Sequence, residues 1–185
     1  MIAYIKRKAF GDKVVIENLS IEIKDGLVTA IEGASGKGKT TLIRILSGLD
    51  MDYEGSVENM PKSPIVLFQE DRLVESISVE SNLAMVSSDK ARIADILFSI
   101  GLGGELKNKV SSLSGGMKRR VSIARALLAD YDILFLDEPF KGLDEQTKEA
   151  VASLIIKENK GRTLVLITHD KTEAELLGAV DYIRI

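Results

Sequence analysis

Between Gly33 and Thr40 the chain reads Gly-Ala-Ser-Gly-Lys-Gly-Lys-Thr, and no other stretch restricts the possible folds as strongly. The octapeptide has the spacing G-x-x-x-x-G-K-S/T. It follows the apolar run 27–31 and opens the segment 39–46, whose apolar residues recur at helical spacing up to Ser47-Gly48. Strand, glycine-rich loop and helix in that order make a cradle for phosphate. Glycines let successive backbone amides point inward, and the helix N-terminus adds the positive end of its dipole. Lys39 supplies a point charge for the β and γ phosphates, and the Thr40 hydroxyl can ligate Mg2+. Gly33, Ser35, Gly36, Lys37, Gly38, Lys39, Thr40 and Thr41 are therefore the candidate nucleotide contacts.

The rest of the chain supplies the sheet that such a loop needs. The first thirty residues alternate apolar and polar, with Leu19, Ile21 and Ile23 on one face and a turn at Asp25-Gly26. That pattern predicts a small antiparallel sheet. Short apolar runs at 65–68, 133–136 and 163–168 alternate with helical patterns at 115–129 and 144–159, followed by a short helix from Lys171 and a last strand near Tyr182. Buried strands alternating with helices imply an α/β chain whose parallel sheet is covered on both faces. Between Arg72 and Val121 the strand-like runs vanish, and helical periodicity appears at 79–86 and 89–100. The expected organisation is one domain over 1–185, with an α/β core at 1–72 and 120–185 and a helical subdomain at 73–119.

Composition removes several function classes. There is no cysteine and a single histidine, so thiolate chemistry and histidine-rich metal cages are excluded. The formal net charge of -3 gives no sign of general nucleic-acid binding. Apolar runs such as Ile133-Leu134-Phe135-Leu136 fall far short of the roughly 20 residues a spanning helix needs. Lys6, Arg7 and Lys8 have no apolar stretch behind them, so no signal peptide is expected.

Asp137 and Glu138 follow the apolar run 133–136, at the strand end where open α/β sheets bind ligands. Asp137 suits a magnesium ligand acting through water, and Glu138 suits a base that polarises an attacking water. His169 and Gln69 end two other apolar runs, which brings them to the same edge. Guanine-reading chemistry is not expected: the nearest match to N-K-x-D is Asn108-Lys109-Val110-Ser111, which lacks the aspartate.

At Leu113-Ser114-Gly115-Gly116-Met117 the sequence resembles the LSGGQ signature of the ATP-binding cassette (ABC) family. The other family elements occur in order: Phe10 as the aromatic that stacks on adenine, the Walker A loop 33–40, Gln69 as the Q-loop, Asp137 and Glu138 as Walker B, Gly142-Leu143-Asp144 as the D-loop, and His169 as the switch histidine. The resemblance implies a P-loop NTPase with a RecA-like parallel sheet core, an N-terminal antiparallel β subdomain and a short helical insert. It implies ATP and Mg2+ as ligands, with Thr40, Gln69 and Asp137 toward the metal and Glu138, His169 and Gln69 catalytic. It also implies a head-to-tail dimer, a homodimer or a paired ABC subunit. Each ATP then lies between one copy's Walker A loop and the Ser114, Gly115 and Gly116 of the other, and Asp144 is a dimer contact. A serine followed by two glycines at a helix start offers phosphate a hydroxyl, close amides and a helix dipole.

The chain departs from the family pattern at four places. Met117 replaces glutamine, Lys37 adds charge beside the phosphates, Lys141-Gly142 replaces Ser-Ala before Leu143, and Phe10 lacks the tyrosine hydroxyl. No C-terminal regulatory domain is expected. Phe68-Gln69-Glu70-Asp71-Arg72-Leu73 and Asp137-Glu138-Pro139-Phe140 are similar to importer ATPases for sulfonates, nitrate and taurine. The implied role is a transport-coupled ATPase at the inner face of the cell membrane, driving a separate transmembrane permease that imports a small organic or inorganic anion. The alternatives are a soluble ABC ATPase serving repair, translation or iron-sulfur assembly, and a nucleotide kinase, which leaves the signature unexplained.

Overall fold

The computed structural model describes residues 1–34 and 36–185; Ser35, a candidate nucleotide contact, lies outside the described residues. Packing divides the chain into two units. One comprises Met1–Val66, Tyr131–Asp137 and Gly161–Ile185, the other Leu67–Asp130 and Glu138–Lys160.

In the first unit, β1 (Ile2–Phe10) and β2 (Lys13–Glu22) form an antiparallel hairpin around Gly11-Asp12. Gly11 has φ 58°, a left-handed conformation that glycine reaches without steric cost. The chain then forms β3 (Val28–Glu32), α1 (Lys39–Leu46) and β4 (Glu54–Glu58). β4 joins the far side of β1, giving a sheet of order β2-β1-β4. Alternation buries Ala3 and Ile5 of β1 and leaves Ile2 and Tyr4 exposed.

The second sheet contains β5 (Pro64–Leu67), β6 (Ile133–Asp137), β7 (Thr163–Ile167) and β8 (Asp181–Arg184), in the order β5-β6-β7-β3-β8. β6 runs parallel to β7, and β3 parallel to both β7 and β8. Every residue of β6 and β7 is buried, the signature of strands in a covered parallel sheet. Ile31, Phe135, Val165 and Ile167 of this sheet share a core with Ile5, Ile16 and Ile21 of the hairpin and with Leu42, Ile43 and Leu46 of α1. Ile167 of β7 is registered against Ile31 of β3 on one side and Asp137 of β6 on the other. The loop after β3, the end of β6 and the residues after β7 therefore emerge along one sheet edge. A short helix, α6 (Lys171–Leu176), follows β7.

In the second unit, α2 (Val79–Ala84), α3 (Lys90–Ser99), α4 (Gly115–Leu128) and α5 (Glu145–Asn159) pack together, with a 3-10 turn at Val110–Ser112 before α4. Each helix begins at a residue whose side chain accepts a backbone N–H three positions on: Ser78, Asp89, Ser114 and Asp144. Such caps satisfy donors that the helix itself leaves unpaired. Val79, Leu83, Ile93, Leu97, Val121 and Ile155 are buried. By packing, α5 groups with α3 and α4, so this unit is wider than the segment 73–119 singled out above.

Candidate functional site

The first unit carries the phosphate loop. Gly36 and Gly38 have φ 78° and 87°. At Gly38 a Cβ would also meet Val15 Cγ1 at 2.7 Å, so both backbone and packing demand glycine there. Lys39 is buried, and its ammonium donates to the carbonyls of Gly33 at 2.7 Å and Ala34 at 2.9 Å. The charge is thereby held inside the loop. Lys37 is exposed, and Thr41 is half-buried on α1. Thr40 Oγ1 donates to Asp137 Oδ2 at 2.6 Å, which joins the start of α1 to the end of β6.

His169 follows β7 and lines a cavity of about 130 Å³ together with Gly33, Glu32 and Thr168. Its neighbours are fixed by the start of α6: Asp170 caps that helix through Thr172 N–H, and Asp170 N–H donates to Thr168 Oγ1. Phe10 is exposed at the end of β1. Beneath it lies a group that sequence reasoning missed. The Lys8 ammonium sits 4.8 Å from the Phe10 ring centroid, donates to Asp50 Oδ1 at 2.9 Å, and pairs with the Asp52 carboxylate at 3.3 Å. Burial alone would lower the Lys8 pKa, but hydrogen bonds and charge from Asp50 and Asp52 overcome it and hold the pKa above its ordinary value. Burial would likewise raise Asp50, and Lys8, the Asp52 N–H and Arg44 together hold it below the usual carboxylate range.

The second unit carries the remaining candidates. Glu138 adopts φ 47°, a left-handed conformation that a non-glycine residue holds only at a cost of about 1 kcal/mol or more. Gln69 Nε2 donates to Glu138 Oε2 at 2.8 Å, so two of the three predicted catalytic side chains meet. Ser114 caps α4 by accepting from Met117 N–H at 3.3 Å. A Cβ on Gly115 would meet nothing within 4 Å, and one on Gly116 only ordinary contacts with Gly142 and Leu143. The fold leaves room for a Cβ at 115. Asp144 caps α5, and hydrogen bonds from Thr147 N–H and Thr147 Oγ1 hold its carboxyl below the usual range. Arg119, not singled out in the sequence, lies buried on α4 with its guanidinium against backbone carbonyls.

The sequence pattern that defines the ABC transporter family matches residues 16–141. An aliphatic sulfonates import ATP-binding protein of Paracoccus denitrificans (SsuB 1) is 41% identical over 177 residues, covering 92% of this chain and 73% of that protein. The aliphatic sulfonates import ATP-binding protein SsuB of Bacillus subtilis is 38% identical over 192 residues, covering 94% and 75%. Among solved structures, the fold is similar to the dimeric bacterial ABC transporter cassette MJ0796, with TM-score 0.80, 27% identity, and coverage of 100% of this chain and 94% of that one. It is also similar to a post-hydrolysis dimer of that cassette bound to ADP and Pi, with TM-score 0.83, 26% identity and the same coverage. Sequence pattern, relatives and fold agree: this chain belongs to the ABC transporter family.

Proposed function

We propose that the chain is the ATP-binding and ATP-hydrolysing subunit of an importer for small anions of the aliphatic sulfonate class, the cargo named for its relatives. The observation that carries the reading is the end of β6, where consecutive carboxylates take different partners. Asp137 is tied to the phosphate loop through Thr40, and Glu138 is held by Gln69. A metal-side carboxylate followed by a base-side carboxylate is the division of labour that nucleotide hydrolysis needs.

Mg2+ fits the first of these partners. Thr40 Oγ1 and Asp137 Oδ2 are hard oxygen donors 2.6 Å apart. Among the described residues no three His, Asp or Glu side chains cluster to hold a metal unaided. When bound, the ion offsets charge developing on the transferred phosphoryl group.

The chain's own residues do the rest. Lys39 exchanges its loop carbonyls for the β and γ phosphates, and the loop 33–41 contributes amides and hydroxyls. Phe10 stacks on adenine. Glu138 accepts a proton from the attacking water, Gln69 orients the pair, and His169 donates toward the γ phosphate. Ser114, Gly115 and Gly116 cap the phosphates of an ATP held by a second copy, and Asp144 meets that copy. The segment 73–119 moves with nucleotide state and pushes on a separate permease. Among the described residues no helix is long and apolar enough to cross a membrane. In the proposed role a separate permease supplies the spanning helices, and this subunit binds its cytoplasmic side.

Glu138→Gln tests this reading. It keeps the hydrogen-bonding shape but removes the base, so the variant binds ATP, hydrolyses it roughly 100-fold or more slowly, and accumulates dimer on a sizing column. Hydrolysis at the wild-type rate overturns the assignment of Glu138.

A further inference from the structure

Arg119 stands five residues into the sequence from Ser114, on the same helix whose N-terminus forms the signature. It is 3% exposed, and its donors are spent almost entirely on the backbone. Nε donates to Pro139 O at 2.9 Å, Nη2 to Glu138 O at 2.8 Å, and Nη1 to Phe68 O at 2.7 Å and Gln69 O at 3.4 Å. Asp71 Oδ1, 3.3 Å from Nη1, adds an opposite charge. A second arm of the same kind follows along α4: Ser122 Oγ donates to Asp71 O, and Arg125 Nη2 to Asp71 O and Arg72 O. One face of α4 therefore holds the segment 68–72, and Arg119 bridges that segment to 138–139 through backbone carbonyls of both.

The two segments so joined are those that present Gln69 and Glu138, whose side chains meet at 2.8 Å. Glu138 is also the residue held at φ 47°. A left-handed glutamate persists only where its surroundings over-determine it. The guanidinium bonds to its own carbonyl and to the next one are a direct source of that constraint. Arginine suits the task because its planar fork presents five donors at fixed angles, whereas a lysine ammonium is a point charge on a flexible stem.

We propose that Arg119 is a positioning residue for ATP hydrolysis. It clamps the Gln69 and Glu138 backbones into one unit and ties that unit to the signature helix, so contact made at Ser114 reaches the water-activating pair through α4. This rests on the assignment of Glu138 as the base. The residue touches no substrate itself; it acts through the geometry of the other two.

Arg119→Lys and Arg119→Met, each also combined with Glu138→Gln, provide the test, with turnover and KM measured per folded protein and ATP affinity measured separately. Misplacing a reacting group by about 1 Å costs roughly 100-fold in rate. Arg119→Met is therefore expected to lose about 10- to 100-fold in kcat with KM and ATP affinity within about 2-fold of wild type. Arg119→Lys keeps the charge, folds where the methionine variant does not, and shows the same kcat-selective loss. In the Glu138→Gln background the Arg119 substitutions cause no further loss of rate, because residues acting through one another are non-additive. Wild-type kcat in folded Arg119→Lys and Arg119→Met, or a loss that multiplies fully with Glu138→Gln, overturns the proposal. Wild-type turnover in Glu138→Gln alone overturns the base assignment instead, so the two failures are distinguishable.

Discussion

Single residues in this fold are held by demands that chemistry can separate. Gly38 has φ 87° and no room for a Cβ beside Val15, so Gly38→Ala meets strain and overlap together. The expected loss is about 2 kcal/mol or more of stability, read from chemical denaturation, with ATP binding weakened because the loop can no longer close over phosphate. Lys39→Ala removes the buried charge of the loop together with its hydrogen bonds to Gly33 O and Ala34 O. It lowers ATP affinity at least about 10-fold in the folded protein, and unchanged affinity in an ATP titration refutes the role given to Lys39. The Lys8–Asp50 pair makes a pH prediction. Asp50 titrates below its ordinary 3.8 in the folded chain, so its contribution is fully present above that value and fades as pH falls through the lower folded pKa. Lys8 titrates above 10.5, so its contribution is fully present below that value and fades at higher alkalinity. Asp50→Asn therefore costs roughly 2 kcal/mol at pH 7, because a neutral amide replaces the charged acceptor facing the buried Lys8 ammonium. The difference in urea midpoint from wild type stays constant down to about pH 4 and narrows below it.

Elements show which signals travel through sequence and which do not. β6 and β7 are runs of apolar residues buried end to end, and α1 spans the same 39–46 that periodicity marks, because loop and helix stop bracket it. β4 was invisible. It reads Glu-Gly-Ser-Val-Glu, no residue in it is buried, and its place is set by backbone pairing with β1, which leaves no mark in side-chain pattern. Lys8 misleads for a related reason. Alternation from Ala3 and Ile5 points Arg7 inward, but register shifts between Ile5 and Arg7 and between Lys8 and Ala9 turn Lys8 inward instead. Arg119 went unread because an arginine in a basic run on a helix is ordinarily solvated, and its acceptors lie on loops distant in sequence. The meeting of Gln69 with Glu138, by contrast, follows from reading both as strand-end residues. Two helix caps separate stability from function. Asp89→Ala removes the cap of α3 and is expected to cost about 1 kcal/mol with turnover unchanged. Asp144→Ala removes a cap of the same kind on α5 but is expected to slow hydrolysis as well, since Asp144 is the proposed contact to a second copy. Equal behaviour of the two variants in melts and ATPase assays reduces Asp144 to a cap.

For the whole molecule, the question is why one chain carries two phosphate-seeking helix starts. The Walker A loop at α1 holds Lys39 ready inside its own carbonyls, and the signature at α4 presents Ser114 and an unobstructed Gly115. If each copy lends its signature to the other's nucleotide, the two starts serve one site, and a pair of copies related by a two-fold axis forms two such sites. Sharing makes a prediction that no self-contained site can meet. Lys39→Ala and Ser114→Arg are each inactive alone: the first lacks the charge that binds ATP, and the second blocks the signature with bulk and misdirected charge. In a mixed pair one site combines both defects, while the other draws Lys39 and Ser114 from the intact halves. Equal mixing makes about half of all pairs mixed, each with one sound site, so independent sites return about a quarter of wild-type ATPase activity. Mixing purified variants and following phosphate release checks this directly. Activity that stays at the level of the separate variants, with pairing confirmed by cross-linking, means that each copy completes its own site and that the signature serves another purpose.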